Sequence, residues 1–348
     1  MKNLSFLLIV CIFFFSCKKD KEVVSPSSLN GIFIVNEGNF LSGDASVSFW
    51  ERSTGNLIQK LNSFDLGDVA LSMTIHNGRG YIVVNNSQKV QVVSMENFSD
   101  GGEITGLSSP RYFLPLNKEK GYITDWLSDA VKVVDLNSRQ IIKSIPTGGV
   151  GPEQMAFAND KLYVVNVGAY GDDSTLTVIN TQTDTVLKTV IIGIDPNSIV
   201  HDKNGKLWIL CNGDTGPDWI GTADDIAGSL LRINPENDSI EFNLNFSQID
   251  HPSKLTISPG GDVLYFLNGL SGFDGKIFTM NINDNFLPNQ PFIDKIFYGL
   301  GIDPVTNQIL GAYVPGFSQQ GYMFRYNSNG TFIDSMKVGI GPNGFAFN

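Results

Sequence analysis

Short apolar runs that stop at a polar residue recur along nearly the whole chain. In the clearest copy, Lys161 is followed by four apolar residues and then by Asn166. Six further copies have a similar form, and they occupy residues 31–36, 80–85, 121–125, 206–212, 263–268 and 308–314. Because the runs are too short to span a membrane and are rich in β-branched and aromatic residues, each one predicts a buried β-strand.

The residues around each run predict three more strands. In the fourth copy, residues 151–157 form a first strand, 159–160 form a turn, and 162–166 are the apolar second strand. Residues 175–180 then alternate between inward and outward positions, which is typical of a third strand, and 185–190 form a fourth. A four-stranded repeat every 40 to 56 residues or so is typical of the blades of a β-propeller.

The two ends of the chain predict how the ring closes. The first repeat begins directly with its second strand at Gly31, whereas residues 341–347 form a first strand that has no blade of its own. Pairing the last strand with the first blade would close the ring and remove its exposed edges. We therefore predict an all-β fold, a single seven-bladed propeller domain over residues 31–348, with residues 284–290 and 297–301 in place of clean strands in the two least regular repeats.

The N-terminus predicts export. Lys2 precedes an apolar stretch at 4–15, and Ser16 and Cys17 follow it, so residues 1–16 are typical of a secretory signal. The pattern resembles a bacterial lipoprotein signal, which implies that Cys17 is lipidated and that 17–30 form a polar tether; an ordinary signal peptide is the alternative. The charged residues after Cys17 loosely resemble the export signals of Bacteroidetes lipoproteins. This resemblance implies an outer-membrane protein on the cell surface.

Net charge, cysteine content and hydrophobic content indicate what the protein can bind and how it is stabilised. The net charge of −11 argues against a nucleic-acid partner, because phosphates demand a basic surface. Cys11 is removed with the signal and Cys17 is the predicted lipid site, so Cys211 is left alone. No disulfide within the mature chain is then expected, and Cys211 is predicted to be a small buried hydrophobic residue. Stability must come from a packed core, for which 42% hydrophobic residues suffice.

The repeats resemble a known group of propellers. Tyr163 to Asn166, Tyr81 to Asn85 and Tyr122 to Asp125 look like the YVTN-type repeats of surface-layer and YncE-like propellers. Among lipoproteins of this type in Bacteroidetes, the chain is similar to the group that includes a surface cobalamin-binding propeller. The resemblance implies capture of a corrinoid (vitamin B12) and a TonB-dependent outer-membrane transporter as the partner.

One face of the predicted propeller concentrates the unusual residues. The connections between second and third strands share this face with the steps from blade to blade, and together they supply aromatic, amide and charged side chains. An aromatic-rimmed concavity with converging polar groups suits a small-molecule site. The predicted ligand-binding residues are Glu37, Phe40, Arg111, Tyr112, Trp126, Glu153, Gln154, Tyr170, Asn197, Trp219, Phe273 and Asn343. The asparagines that end the second strands are predicted to bond the local backbone instead.

Catalytic motifs are missing from the sequence, so no catalytic residue is predicted and binding is favoured over catalysis. Glu153 could form an acid–base pair with Asp172 or Asp125. Residues 212–218 have oxygen ligands at alternate positions, but they lack the closing glutamate of an EF-hand, so calcium is a weaker expectation than a solvated loop. The alternatives are a calcium-dependent lactonase-like or lyase-like propeller that uses Glu153 and Asn197, and a protein-binding scaffold.

Overall fold

The short apolar runs form strands in the computed structural model of the chain, which describes residues 29–169, 172–216 and 221–348. The predicted signal, the predicted lipid site Cys17 and nearly all of the predicted tether lie outside these ranges, as do Tyr170 and Trp219. Within the described ranges, no helix has the length and apolar character needed to cross a membrane.

Seven four-stranded antiparallel sheets make up the described part of the fold. Blade 1 contains β28 (Pro342–Phe347), β1 (Gly31–Asn36), β2 (Ser46–Glu51) and β3 (Leu57–Ile58). Blade 2 contains β4 (Ala70–His76), β5 (Arg79–Val84), β6 (Lys89–Ser94) and β7 (Asp100–Ile104). Blade 3 contains β8 (Pro110–Pro115), β9 (Lys120–Asp125), β10 (Ala130–Asp135) and β11 (Gln140–Pro146), with a 3-10 turn at Trp126–Ser128.

The remaining blades follow in the same order. Blade 4 contains β12 (Pro152–Ala158), β13 (Lys161–Asn166), β14 (Thr175–Asn180) and β15 (Thr185–Ile191). Blade 5 contains β16 (Pro196–His201), β17 (Leu207–Cys211), β18 (Ser229–Asn234) and β19 (Ser239–Asn245). Blade 6 contains β20 (His251–Ile257), β21 (Val263–Gly269), β22 (Gly275–Asn281) and β23 (Ile293–Phe297). Blade 7 contains β24 (Gly299–Ile302), β25 (Ile309–Tyr313), β26 (Gln320–Tyr326) and β27 (Phe332–Ile340).

The predicted seven-bladed propeller and its closure are confirmed. Strand β28, the last of the chain, pairs antiparallel with β1, and Phe33 lies opposite Ala346 in this register. The first blade therefore takes its innermost strand from the C-terminus. This pairing leaves no open edge at the junction between the two ends of the chain.

The second strands read as continuous apolar runs because both of their faces are covered. In β13, Leu162 and Val164 pack with residues of blade 3, whereas Tyr163 and Val165 pack with residues of blade 5. All four side chains are fully buried. A strand sandwiched between neighbouring blades needs hydrophobic residues on both sides, and each buried side chain contributes about 1.5 to 3 kcal/mol.

The predicted irregularity is present in blade 6, but the prediction for residues 297–301 is wrong, because Gly299–Ile302 form strand β24, which pairs with β25 without a register shift. Residues 284–290 lie outside the strands, and the fourth strand of blade 6 forms later, at Ile293–Phe297. Pro288 and Pro291 lack the N–H that a sheet ladder requires, so this segment crosses the edge of the blade as a loop. Tyr298 then separates β23 from β24, the first strand of blade 7. Cys211 is free and fully buried, as predicted.

Candidate functional site

Most of the innermost strands depart from regular pairing at the end where the chain enters each blade. We call this end of the molecule the loop face; it holds the connections between second and third strands and the steps between blades. In six of the seven blades, the innermost strand has one residue more than its partner here. On β8, for example, Pro110 pairs with Asp125 and Phe113 pairs with Ile123, so an extra residue is accommodated at Arg111 and Tyr112.

These β-bulges, which we call the axial bulges, supply the floor of a cavity. An extra residue breaks the alternation of a strand and re-aims the side chains beside it. The residues within the axial bulges are Leu71, Arg111, Tyr112, Glu153, Gln154, Asn197, Lys254, Leu255 and Asn343. All of them except Leu255 line one cavity of about 680 Å³ on the loop face.

The cavity brings together most of the residues that the sequence analysis selected. Nine of the twelve line it, namely Glu37, Arg111, Tyr112, Trp126, Glu153, Gln154, Asn197, Phe273 and Asn343. Phe40 does not, and its side chain is 63% exposed on the loop between β1 and β2. Tyr170 and Trp219 lie outside the described residues.

An ion pair joins the innermost strands of blades 3 and 4. The guanidinium of Arg111 donates from Nε to Glu153 Oε2 at 2.7 Å and from Nη2 to Oε1 at 2.9 Å. Its central carbon lies 5.0 Å from the centre of the Trp126 ring. Burial alone would lower the pKa of Arg111, but the Glu153 carboxylate raises it, and the net shift is upward. The guanidinium therefore stays charged.

A second cluster links blades 1, 6 and 7 across the axis. The Tyr298 hydroxyl donates to Glu37 Oε1 at 3.0 Å, and burial raises the pKa of Glu37 above its usual value. Lys254 Nζ donates to Asn343 Oδ1 at 2.7 Å, and burial lowers the pKa of this lysine. The backbone of Lys254 has a φ of +57°, a left-handed conformation that non-glycine residues rarely adopt.

Other floor residues brace their neighbours. Gln154 Oε1 accepts a hydrogen bond from the Ile199 amide at 3.1 Å, and Asn197 Nδ2 donates to the Pro252 carbonyl at 3.0 Å. Burial raises the pKa of Tyr112 to about 12, so its hydroxyl is protonated at neutral pH. Together these contacts fix the floor as a ring of side chains that support one another between blades.

Three aspartates form another part of the cavity lining, which we call the carboxylate wall. Asp172 follows β13, Asp195 precedes β16 and Asp214 follows β17. Burial raises the pKa of Asp195 to about 7, and the charges of Asp172 and Asp214 contribute to the rise. Within the described ranges, none of the three is within 4 Å of a lysine or arginine nitrogen.

The structure places the other chemical candidates differently. Asp125 is fully buried and accepts hydrogen bonds from the amides of Ser108 and Ser109, at 3.0 and 2.7 Å, so it does not face Glu153 across the cavity. The described residues contain no group of three or more histidine, cysteine, aspartate or glutamate side chains arranged to hold a metal ion. In the segment at 212–218, where the sequence favours a solvated loop over a calcium site, Asp214 Oδ1 accepts the Gly216 amide at 2.7 Å.

Asn36 and Asn166, at the ends of second strands, hydrogen-bond to the third strand of their own blade, both to side-chain hydroxyls and to the predicted backbone groups. Asn166 Nδ2 donates to Thr175 Oγ1 and to Thr177 Oγ1, both at 2.9 Å, and Asn36 Nδ2 donates to the Ser46 carbonyl at 3.2 Å. Asn212 is the exception that also lines the cavity.

The sequence-based selection missed several lining residues, and their position offers a partial signal. Lys254 stands two residues after Pro252, as Tyr112 follows Pro110 and Gln154 follows Pro152. Tyr298 has no such proline before it, and it is found only from the fold. The wall aspartates lie within segments that resemble ordinary solvated loops.

Solved structures with the same fold come from several bacteria. A candidate 6-phosphogluconolactonase of Bacteroides uniformis has a TM-score of 0.67 at 15% identity, over 92% of this chain and 100% of that one. Another from Bacteroides fragilis has a TM-score of 0.65 at 13% identity, over 94% and 99%. A quinoprotein alcohol dehydrogenase-like protein of Bacteroides thetaiotaomicron has a TM-score of 0.65 at 15% identity, over 91% and 78%. At these identities the likeness shows the fold alone.

The sequence comparisons identify the family. No curated protein has a sequence that matches this chain. The model of a domain of unknown function, DUF5074, matches residues 30–343, which include all of the blades except the end of the closing strand. The chain therefore belongs to the DUF5074 family of seven-bladed β-propellers.

Proposed function

We propose that this protein is a cell-surface lipoprotein that captures a small or medium-sized ligand in the cavity of the loop face. The supporting observation is the set of axial bulges. Six of seven innermost strands depart from regular pairing at the same level, and the side chains there are of several chemical types, with only asparagine occurring in two of the bulges. A structural role would be served by a repeated residue, whereas a binding site needs different groups at different places.

The size and chemistry of the cavity fit a bound small molecule. A volume of about 680 Å³ falls within the range that ligand sites usually occupy. Its lining combines the aromatic rings of Tyr112, Trp126 and Phe273 with carboxylates, amides and two basic groups. Rings of this kind supply apolar contact area, and the fixed polar groups orient the ligand.

A corrinoid is the first ligand to test, because the repeats resemble those of the YncE-like lipoproteins. Under this proposal, lipid on Cys17 anchors the protein at the outer membrane, and a TonB-dependent transporter receives the ligand. Replacing Cys17 with alanine is expected to release the protein from the membrane fraction, which cell fractionation and immunoblotting would detect. A protein that stays in the membrane fraction after Cys17→Ala would contradict the proposed anchor.

Binding is favoured over catalysis by the contacts of the candidate catalytic groups. Glu153 is held by both guanidinium donors of Arg111, and Asn197 donates to a backbone carbonyl. The lactonase-like alternative is supported by the position of Asp195 in the cavity lining, where burial raises its pKa to about 7, a value that suits a general base. Hydrolysis of glucono-δ-lactone that is lost in Asp195→Asn would favour that alternative.

The test of capture is calorimetric titration of the full-length chain in detergent with cyanocobalamin. Phe273 lies on the loop face, where its side chain is 54% exposed, and Phe286 lies in the connection between third and fourth strands, where its side chain is 70% exposed. We expect Phe273→Ala and Trp126→Ala to weaken binding about tenfold, equivalent to about 1.4 kcal/mol, and the matched control Phe286→Ala to leave it unchanged. Absence of both heat and protein-bound colour would overturn the corrinoid assignment.

A further inference from the structure

The lining of the cavity carries more acid than base. Among the described residues, five carboxylates line it, from Glu37, Glu153, Asp172, Asp195 and Asp214, against the two basic groups of Arg111 and Lys254. The bases lie among the axial bulges, where Arg111 is already bound to Glu153. The imbalance therefore falls on the carboxylate wall.

Backbone hydrogen bonds hold the segments of the wall together despite the repulsion between their charges. The amide of Asp195 donates to the Asp173 carbonyl at 2.8 Å, and the amide of Asn212 donates to the Asp195 carbonyl at 2.9 Å. Asp195 is therefore hydrogen-bonded both to Asp173, the residue after Asp172, and to Asn212, which begins the loop that contains Asp214. Carboxylates assembled in this way, with no basic partner within 4 Å in the described ranges, favour a positive charge supplied from outside the chain.

The spacing of the wall favours an organic cation over a metal ion. The aspartates are near enough for Asp172 and Asp214 to affect the ionisation of Asp195. Even so, no three acidic, histidine or cysteine side chains of the described residues are arranged to hold one metal ion. A group that spreads its charge and its N–H donors over several ångströms can reach carboxylates that a single ion cannot bridge.

An unpartnered buried group in the same cavity also points to a ligand. Ser253 lines the cavity floor beside Lys254 and is only 6% exposed. Its hydroxyl has no hydrogen-bond partner among the described residues. Buried polar atoms are normally paired, and leaving one unpaired costs about 1 to 3 kcal/mol.

We propose that the carboxylate wall receives a cationic, amine-bearing part of the ligand, while the aromatic and amide groups of the cavity contact its remainder. An ammonium offers three donors, so one such group can serve more than one carboxylate oxygen. This inference rests on the proposed capture of a ligand by the cavity. It also narrows that function, because it places cationic ligands ahead of neutral corrinoids such as cyanocobalamin.

The test compares a triamine with an uncharged molecule of similar length. Spermidine and 1,8-octanediol are titrated calorimetrically into the full-length chain in detergent, at pH 8 and low salt. We expect spermidine to bind at least about tenfold more tightly than the diol, and to lose affinity as salt is raised. The double variant Asp195→Asn, Asp214→Asn is expected to weaken spermidine binding by about tenfold or more.

Matched variants separate the wall from general acidity. Asparagine keeps the side-chain oxygens that accept the amides of Asp173 and Gly216, so the double variant retains these local contacts. Asp294, whose side chain is 74% exposed on β23, provides the control, and Asp294→Asn is expected to leave spermidine binding unchanged. Equal affinity for the diol, or an equal loss in the Asp294→Asn control, would overturn the proposal.

The cyanocobalamin titration distinguishes failure of this inference from failure of the proposed function. Spermidine binding that depends on the wall, without cyanocobalamin binding, supports the inference and leaves ligand capture in place with another ligand. Cyanocobalamin binding that the double variant does not change, without spermidine binding, overturns the inference and supports capture. If neither molecule binds, the inference is overturned and the corrinoid assignment falls with it.

Discussion

The aspartates of the carboxylate wall and those at the other end of the blades differ in the partners that hold their carboxylates. At the end opposite the loop face, which we call the hairpin face, aspartates in the turns between third and fourth strands are bound by the neighbouring blade. Tyr122 Oη donates to Asp184 Oδ1 at 2.7 Å, and Lys120 Nζ donates to Asp184 Oδ2 at 2.7 Å. One blade further on, Tyr163 and Lys161 hold Asp238 in the same way.

The described residues of the loop face do not repeat this arrangement. Among the described residues, the wall aspartates have no such clamp, and the axial bulges place charged, amide, aromatic and aliphatic side chains at different blades, with asparagine in two of them. The pKa values follow this division. Burial alone would raise the pKa of Asp238, but hydrogen bonds from Lys161, Tyr163 and Lys188 lower it, whereas burial and neighbouring acids raise the pKa of Asp195 to about 7.

This difference separates the positions of a repeat that maintain packing from the positions where a ligand can bind. The motif lysine, x, tyrosine on the second strand, with aspartate in the next blade's turn, recurs in blades 3 and 4 and solves the same packing problem at both junctions. A position that changes from blade to blade at a fixed level of the fold does not solve a common packing problem. Such positions are where we expect ligand chemistry, and the following substitutions test the division.

The largest effect is expected from Arg111→Ala, which leaves Glu153 buried without its partner. Glu153 has a side chain only 8% exposed, while that of Arg111 is 24% exposed. Removing one member of a buried pair usually costs 3 to 5 kcal/mol, and we expect about 3 kcal/mol here because part of the arginine is exposed. Urea denaturation would measure the loss in the free energy of unfolding.

The second variant shows whether that loss comes from the stranded charge. Adding Glu153→Gln to Arg111→Ala removes the unpaired charge and keeps the shape of the side chain. We expect the double variant to recover much of the lost stability. A double variant as unstable as Arg111→Ala would mean that lost packing against Trp126, and not the carboxylate, causes the effect.

A smaller effect is expected from Tyr163→Phe on the hairpin face. The change removes one hydrogen bond to Asp238, which keeps its contacts with Lys161 and Lys188. We expect a loss of about 1 to 2 kcal/mol in the free energy of unfolding, and a similar loss for Tyr122→Phe. Neither change should alter ligand affinity; weaker binding in Tyr163→Phe would show that the two ends are not independent.

The repeated part of the molecule could be predicted from the sequence. The apolar runs ending at Asn36, Asn166 and Asn268 are second strands, and the unpaired segment at the C-terminus closes the ring. These features follow from burial on both faces of a strand and from the need to pair its edges. Nine of the twelve predicted binding residues also line the cavity, and those that follow Pro110, Pro152 and Pro196 share one level of the fold.

The rest depends on contacts between distant segments. Nothing in the sequence distinguishes Glu153, bound to Arg111, from the unclamped Asp195, because pairing is set by which side chains the blades bring together. The positions of the axial bulges could not be predicted either, because they depend on how each innermost strand pairs with its neighbour. Tyr298 reaches Glu37 only because the ring places blades 7 and 1 side by side.

The smallest expected effect comes from Asp195→Asn, and its sign depends on pH. The folded chain raises the pKa of Asp195 to about 7 from an ordinary value of 3.8, so between these values the folded state binds more protons than the unfolded state. Stability from this group is therefore complete below about pH 4 and is lost as pH rises through 7. Asparagine cannot ionise, so the variant should gain on the wild type by about 1 kcal/mol at pH 8, after discounting for partial exposure, and should match it near pH 4.

Urea denaturation of both proteins at pH 4.5, 6 and 8 measures this gain, and Asp238→Asn supplies the contrast from the hairpin face. The pKa of Asp238 is lowered, so its contribution is present above the unfolded value and is lost only as pH falls. Asp238→Asn should therefore cost stability at pH 8, where Asp195→Asn adds it. If both variants lose stability at pH 8, the carboxylate wall has a partner that stabilises its charge, and the division between the two faces of the propeller does not hold for its acids.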